Sequence, residues 1–239
     1  MSTVQASAGH ERFSADHARQ YDERIRVIIP GYELLHRLSA AALRDRLADD
    51  ADLLIVGAGT GAEVLLLGQL YPGWRFTAID PAADMIAIAR DRCAAAGLGE
   101  RVELIVATTD QLPNSDRYDA ATALLVMHFL PDDGAKLDFL RHISDRLVPG
   151  APFVIADLHG DHTADGFSRV LRIWQRYQLD LGVPEEKTVE MAQQVLEHIQ
   201  WATESRLRDL FRSAGFAEVD LYFRGALFGA WSMRKTTSS

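Results

Sequence analysis

The feature that most constrains the fold is a glycine-rich loop that joins an apolar run to a helical segment. The apolar run is Leu53–Val56, the loop is Gly57–Gly61 (Gly-Ala-Gly-Thr-Gly), and a helical pattern begins at Ala62. A continuous apolar run indicates a strand that is covered on both faces, and a loop with few side chains lets backbone N–H groups approach a ligand. The segment predicts the first strand–loop–helix unit of a parallel α/β sheet, with a ligand crevice at the carboxyl end of the strand.

Apolar runs and helical patterns alternate along the rest of the chain. Because most of these runs are continuous, they predict buried parallel strands with helices on both faces of the sheet. The later predicted strands are Arg75–Ile79, Val102–Val106, Ala120–Leu125, Phe153–Ala156 and a final pair, Val219–Phe223 and Leu227–Met233, separated by Arg224-Gly225. The order of elements predicts an α/β fold.

Two helical regions accompany the predicted sheet. The N-terminal helical pattern is broken at Pro30-Gly31, because Pro cannot continue a helix, and a second helical region runs from Gly166 to Gln200. We expect one domain over residues 11–235. Within it, residues 11–50 would form a helical lid and residues 160–202 a helical insertion between strands five and six.

Composition and charge narrow the classes of function. The chain has 239 residues, of which 48% are apolar, and its formal charge of −9 argues against a nucleic-acid partner. No uninterrupted apolar stretch reaches about 18 residues, so no membrane-spanning helix is expected. The single cysteine, Cys93, permits no internal disulfide, and the polar segment Met1–His10 lacks a secretory layout. We expect a cytoplasmic protein with a small-molecule partner and no membrane association.

An acidic residue follows the second predicted strand. Asp80 lies 23 positions after Gly57, where a carboxylate can accept hydrogen bonds from both ribose hydroxyls of an adenosine. The spacing Gly57-x-Gly59-x-x-Ala62 also fits the dinucleotide fingerprint, so the loop and the acid alone leave NAD and FAD open. The N-terminal helices, the final strand pair and the pattern Leu207–Phe216 distinguish these cofactors from the alternative that follows.

Four segments resemble motifs of the class I S-adenosylmethionine-dependent methyltransferases. The glycine loop, Gly57–Gly61, resembles the first motif of that family, and Asp80 followed by Met85 resembles the second. Gln111-Leu112-Pro113 resembles a third motif, and Leu207–Phe216 resembles the ending of the usual C-terminal helix.

Further segments resemble one branch of this superfamily, the branch that contains carboxy-S-adenosylmethionine synthase. They are Tyr21-Asp22, Ile29–Tyr32, Leu221–Phe223 and Phe228-Gly229. The resemblance to the superfamily extends over most of the chain, from about Phe13 to Arg234. It implies a Rossmann-like sheet of seven strands, mostly parallel with an antiparallel last strand, and helices on both faces.

The resemblance also implies where S-adenosylmethionine would bind. Tyr32 would close over the methionine end of this cofactor, and Asp80 would hold the ribose hydroxyls. The other positions carried over are Gly57, Ala58 and Gly59 for the methionine and ribose, Pro81, Met85, Thr108 and Thr109 for the adenine, and Leu124 for the junction of ribose and methionine.

Three positions depart from the family pattern. Ile55 stands where an Asp is usual before the loop, and Thr108 stands where an acid is often found after strand three. The synthase branch has an Arg in the late insertion that pairs with the carboxylate it installs, whereas Ala192 or a neighbour, Met191 or Gln193, stands there. These departures favour methyl transfer to a small molecule. The alternatives are carboxy-cofactor synthesis from prephenate and a non-catalytic cofactor-binding protein.

Polar side chains after strands four and five are the catalytic candidates. His128 follows strand four, Asp157 and His159 follow strand five, and Tyr21 is a further candidate from the lid. A protein base is needed only if the acceptor is protonated at neutral pH, so a half-buried structural role for His128 stays open. The histidines and acids after strand five are too loosely spaced to predict a metal site. Aromatic residues of the insertion are interpreted as core or dimer contacts, which are compatible with a homodimer.

Overall fold

The computed structural model describes the backbone of residues 15–113 and 117–237 and the side chains of residues 22–113 and 117–237. Two helices precede the sheet, α1 (Ala15–Ile28) and α2 (Tyr32–Arg44). The chain turns between them at Gly31, whose φ of 76° lies in the left-handed region that glycine adopts without strain. The predicted helical segment with its break is therefore present.

Seven strands form one sheet. The strands are β1 (Asp52–Val56), β2 (Arg75–Asp80), β3 (Val102–Val106), β4 (Ala120–Leu124), β5 (Pro152–Leu158), β6 (Phe216–Gly225) and β7 (Phe228–Lys235). Their spatial order is β3-β2-β1-β4-β5-β7-β6. The pairs among β1 to β5 are parallel, whereas β7 is antiparallel to both of its neighbours. The predicted fold class, with an antiparallel last strand, is confirmed.

Helices cover both faces of the sheet, and the strand β1 displays the reason. Leu53 and Ile55 belong to the core that also contains residues of α1 and α2, while Leu54 and Val56 belong to a second core on the other face. A strand that is buried on both faces needs an apolar residue at every position. The remaining helices are α3 (Ala62–Leu70), α4 (Ala83–Ala95), α5 (Ala135–Asp145), α6 (Asp165–Asp180), α7 (Glu185–His198) and α8 (Glu204–Ser213).

The last two strands differ from their predicted bounds. β6 begins at Phe216 and ends at Gly225, so the hairpin turns at Ala226-Leu227 and not at Arg224-Gly225. The register between β6 and β7 shifts twice, and Glu218 has a positive φ of 52°. Such bulges interrupt the alternation of side chains from which strand bounds are predicted. β5 is also longer than predicted, and Asp157 lies inside it.

The helical insertion lies between β5 and β6, as predicted, and consists mainly of α6 and α7. The indole Nε1–H of Trp174 in α6 donates a hydrogen bond of 2.6 Å to the carbonyl oxygen of Ile28 at the end of α1. This bond connects the insertion to the N-terminal helices, and both then stand over the carboxyl ends of the central strands. None of the described helices is both long and apolar enough to cross a lipid bilayer.

Candidate active site

The glycine loop lies where the sequence predicted it, between the end of β1 and the start of α3. The backbone N–H groups of Gly57 and Ala58 both donate to the carbonyl oxygen of Ile79, at 2.8 and 2.9 Å. Gly57 has a φ of 78°, and a Cβ built on it would lie 2.2 Å from Cγ2 of Val126. Glycine is therefore required at this position both by backbone conformation and by space.

Asp80 organises this loop from the end of β2. Its Oδ2 accepts a hydrogen bond from Gly59 N at 2.9 Å, and its Oδ1 accepts one from Ala82 N at 2.8 Å. A carboxylate has about four acceptor positions, so one carboxylate can hold a loop and also accept ligand donors such as ribose hydroxyls. The position of Asp80 beside the loop thus fits its predicted role in holding a ribose.

The predicted adenine side of the crevice lies at the start of α4. Met85 follows Pro81 by one helical turn, is buried, and packs with Ala82 and Ile88 in a cluster apart from the two main cores. A small apolar cluster beside the loop fits a contact surface for a flat base. The predicted adenine contacts by Pro81 and Met85 stay predictions.

Thr108 and Thr109 have polar partners within the protein. The Thr108 hydroxyl donates to Oδ1 of Asp110 at 2.5 Å, and the Thr109 hydroxyl lies 3.5 Å from Nδ1 of His142. The bond from Thr108 holds the pKa of Asp110 below its ordinary value. Asp110 thereby places a carboxylate beside Thr108, where the family pattern has an acid. The sequence analysis missed this residue, although the spacing Thr108-x-Asp110 is the signal that could have found it.

The predicted lid residue Tyr32 is the first residue of α2. Its ring meets the ring of His36 edge-on, with centroids 4.4 Å apart, and both side chains are buried. Both ring nitrogens of His36 are enclosed without a hydrogen-bond partner among the described residues. Burial lowers the pKa of His36 to about 4, so the ring is neutral at physiological pH. The side chain of the other predicted lid residue, Tyr21, lies outside the described residues.

Asp22 connects the first helix to the glycine loop. Its Oδ1 accepts a hydrogen bond of 2.5 Å from the Thr60 hydroxyl, and its Oδ2 pairs with Nη1 of Arg92 at 2.6 Å. The same guanidinium nitrogen donates to the carbonyl oxygen of Thr60 at 3.1 Å. In the sequence, Asp22 contributed only to the resemblance. The structure places it as a link that holds α1 over the crevice.

His128 and Asp157 are brought together at the carboxyl ends of β4 and β5. His128 lies in the short helical turn after β4, and its Nδ1 makes a short hydrogen bond to Oδ1 of Asp157. The same oxygen accepts the backbone N–H groups of His128 and Leu158, at 3.1 and 3.0 Å. Because Oδ1 also accepts two backbone N–H groups, Nδ1 is the donor in this bond, and Nε2 is the ring nitrogen left for other partners. Both side chains are buried.

A buried lysine lies close to this pair. Lys136 is 1% exposed, and its Nζ donates to the carbonyl oxygen of Met127 at 2.9 Å. Burial lowers the pKa of Lys136, and the carboxylates of Asp157 and Asp132 raise it. A nearby ammonium offsets the cost of burying the charge of Asp157. No motif pointed to Lys136, because a lysine in an amphipathic helix is ordinarily solvated.

A cavity of about 220 Å³ lies beside His128. Its walls are mostly apolar and come from α1, α6, α7 and the ends of the strands; they include Ile25, Ile29, Leu125, Leu158, Trp174 and Phe228. Leu125 directly follows the buried Leu124 and has a positive φ of 65°, which is strained for a residue with a side chain. Strain of this kind is concentrated at functional sites. The cavity is therefore the candidate acceptor pocket.

His159 does not line this pocket. It is buried, its ring meets Trp231 edge-on with centroids 5.1 Å apart, and it lines a separate cavity of about 630 Å³. Trp174 stands between the two cavities and lines both. Burial and the charge of Arg224 lower the pKa of His159. The structure thus unites two of the catalytic candidates and gives His159 different surroundings. Among the described side chains, no group of three or more metal-binding types is clustered.

Comparisons with known proteins indicate a methyltransferase family. A protein-family model described as "Methyltransferase domain" matches residues 54–153. The release factor glutamine methyltransferase of Chlorobaculum tepidum is 32% identical over 62% of this chain and 53% of its own length, so the chain spans about half of that relative. The carboxy-S-adenosyl-L-methionine synthase of Campylobacter hominis is 23% identical over 93% of this chain and 94% of its own length.

A solved structure has the same fold. The N-methyltransferase NodS from Bradyrhizobium japonicum, in complex with S-adenosyl-L-homocysteine, superposes with a TM-score of 0.60 at 15% identity, covering 87% of this chain and 88% of that one. Fold, family match and relatives together support a class I S-adenosylmethionine-dependent methyltransferase. Residues 54–153, the part of the chain that the family model matches, run from β1 to β5.

Proposed function

We propose that this protein uses S-adenosylmethionine to methylate a hydroxyl group of a small molecule, with His128 as the general base. One observation carries the proposal: a histidine oriented by a buried carboxylate borders an apolar pocket at the carboxyl ends of β4 and β5. A base at this place serves an acceptor that is protonated at neutral pH, as a hydroxyl is. A hydroxyl acceptor needs such a base, whereas an amine that is already nucleophilic does not.

The crevice beside the pocket supports the choice of cofactor. Backbone N–H groups of the loop from Gly57 bind Ile79 and Asp80, which fixes the loop beside a carboxylate that can also accept ribose hydroxyls. The relatives named above and the bound S-adenosylhomocysteine of NodS make the same cofactor the natural candidate here. When bound, S-adenosylmethionine supplies an electrophilic methyl group on a sulfonium.

The residues of this chain would perform the remaining work. Nε2 of His128 would take the proton of the acceptor hydroxyl, which would make its oxygen nucleophilic toward the methyl group that the cofactor supplies. Asp157 would stabilise the imidazolium that forms and keep the ring in the required tautomer. The apolar walls would exclude water and hold the acceptor in line, which removes much of the barrier in a displacement of this type.

Two variants test the roles separately. Calorimetry should detect S-adenosylhomocysteine binding to the wild type, and Asp80→Ala should weaken this binding by at least about 10-fold, since it removes charge-assisted hydrogen bonds. His128→Gln should retain the binding but lower kcat by about 10²- to 10⁴-fold. If the wild-type protein does not bind S-adenosylhomocysteine, the proposal is refuted. A His128→Gln enzyme with undiminished kcat refutes the base.

Carboxy-S-adenosylmethionine synthesis is the second candidate function. It is favoured by the similarity to the Campylobacter hominis synthase over nearly the full length of both chains. Against it stands the insertion, where Met191, Ala192 and Gln193 occupy the place of the arginine expected by resemblance. Mass spectrometry of the ligand that copurifies with the protein separates the two functions. A mass about 44 units above S-adenosylmethionine, the formula mass of added CO₂, would favour the synthase.

A further inference from the structure

Among the described residues that line the acceptor pocket, Arg24 has the single permanently charged side chain. Most of its wall is apolar, and Arg24 of α1 lies in the part of the wall that also contains Met191 and Gln194 of α7. These three residues also line a groove of about 600 Å³ between α1 and α7. The pocket therefore opens into the groove past Arg24. His128 lines the pocket but not the groove, so the two cationic or basic groups occupy different ends.

Arg24 lacks the ion pair that its neighbours have. Arg26, two residues further along α1, pairs with Glu33 at 2.7 Å, and Lys187 on the facing helix pairs with Glu190 at 2.8 Å. Among the described side chains, Arg24 has no carboxylate partner. A guanidinium at the mouth of an apolar pocket, with its donors unused, is suited to the bidentate recognition of a carboxylate.

The charges around the groove limit how negative the ligand can be. Glu23 and Glu190 line the groove together with Arg24 and Lys187, so the two cations are balanced by two anions. A dianion such as a phosphate monoester would meet both glutamates as it approached Arg24, whereas a single carboxylate would meet a smaller repulsion. The surroundings of Arg24 thus favour a monoanion.

We propose that Arg24 determines acceptor specificity, and that the acceptor is an aromatic or similarly apolar hydroxy acid with one carboxylate. Its carboxylate lies at Arg24, its apolar body fills the pocket, and its hydroxyl lies at Nε2 of His128. This inference rests on the proposed function, since it names the class of acceptor for the same pocket.

The test measures binding of matched ligand pairs to the protein saturated with S-adenosylhomocysteine. Each pair is a phenolic carboxylic acid and its primary amide, in a series of increasing length, and binding is followed by calorimetry. We expect the best acid to bind about 10-fold tighter than its amide, the lower end of the range for a charge-assisted hydrogen bond, because Arg24 is exposed. Arg24→Gln should make the pair equal and change amide binding less than about twofold.

A matched control and a conservative variant complete the design. Arg176→Gln removes an exposed arginine of α6 that pairs with Asp180 outside the pocket, and should leave the preference for acids intact. Arg24→Lys should retain part of it, because charge remains but the bidentate geometry is lost. If protein loaded with S-adenosylhomocysteine binds no acid better than its amide, or binds neither, the inference is overturned.

Failure of the proposed function has a different signature. If S-adenosylhomocysteine does not bind the wild type, the cofactor assignment fails before any acceptor is added. If Arg24→Gln instead weakens binding of a carboxylated cofactor and leaves every acid–amide pair unchanged, Arg24 serves the cofactor. That result overturns the acceptor inference and favours the synthase.

Discussion

Glu63 is a buried carboxyl group that makes the stability of this fold depend on pH. It lies in the first turn of α3, directly after the glycine loop, and is 7% exposed. Its Oε1 is enclosed beside the Thr122 hydroxyl of β4, which opposes part of the pKa shift that burial causes. Burial raises the pKa of Glu63 from 4.5 to about 7, because the charged form loses its hydration.

The sign and size of the effect follow from linkage. A carboxyl group whose pKa is higher in the folded state than in the unfolded state favours folding in its protonated form. Its contribution is complete below pH 4.5 and is lost as the pH rises to about 7. The shift of about 2.5 pKa units, the difference between those values, corresponds to about 3 kcal/mol at 1.36 kcal/mol per unit.

Glu63→Gln isolates this contribution, because glutamine has nearly the same shape and no titrating proton. Urea unfolding of wild type and variant at pH 5 and pH 8 should show the variant gaining about 2.5 kcal/mol relative to the wild type at the higher pH. In thermal unfolding, the same gain is about 5–10 °C for a chain of this size. Contributions of other titrating groups cancel, since they are common to both proteins.

The exposed Glu103 of β3 provides the control. Glu103→Gln should give the same difference from wild type at both pH values within about 0.5 kcal/mol, as surface substitutions usually do. A Glu63→Gln variant whose difference from wild type is also the same at pH 5 and pH 8 would refute the reasoning. It would mean that Glu63 is hydrated or paired when charged, so that its burial carries no cost.

Three further perturbations have defined outcomes. Gly57→Ala should lose about 1–3 kcal/mol of stability in urea unfolding and most S-adenosylhomocysteine binding in calorimetry. Gly99→Ala is the control and should keep the binding, because a Cβ at Gly99 meets open space. His36→Phe should make the free energy of unfolding less sensitive to acid. Because the pKa of His36 is lowered in the folded protein, the stability that neutral His36 contributes is lost as the pH falls from 6.5 to 4. Between pH 7 and pH 5 the wild type should therefore lose about 2 kcal/mol of stability relative to the variant. Asp22→Asn should weaken the hydrogen bond to Thr60 and increase amide hydrogen exchange in α1. Unchanged exchange would contradict the inference that Asp22 holds α1 over the crevice.

Much of the fold could be predicted because local pattern and tertiary burial agree along the first five strands. In β1 every residue from Leu53 to Val56 faces one of the two cores, so the continuous apolar run identifies both the strand and its two covered faces. The glycine loop that follows could also be predicted, because a segment with three glycines in five residues favours a tight turn over a helix or a strand. The β6–β7 hairpin was predicted less well, because two register shifts displace its side chains from regular alternation.

Site residues could be predicted where a sequence motif indicates them, and less well where they meet through contacts between residues far apart in the sequence. Asp80 could be found from its distance to Gly57, and His128 and Asp157 could be named from their positions after or within strands. Their mutual hydrogen bond joins residues 29 positions apart, so no spacing rule indicates it. Lys136 gave no signal at all, and the stretch Arg24–Arg26 indicated only a solvated helix face, because the roles of both residues depend on what packs around them.

The sheet explains how these distant residues meet. β4 and β5 are adjacent and parallel, and Leu124 pairs with Ala156, so the residues that follow both strands emerge at the same edge. Leu125 then donates its N–H to the carbonyl oxygen of Ala156 at 2.7 Å while adopting a left-handed conformation that costs about 1–2 kcal/mol. That conformation turns the chain so that His128 meets Asp157, whose three hydrogen bonds at Oδ1 offset the cost. Strain at Leu125 and the orientation of the proposed base therefore have one origin, the requirement that β4 end against β5.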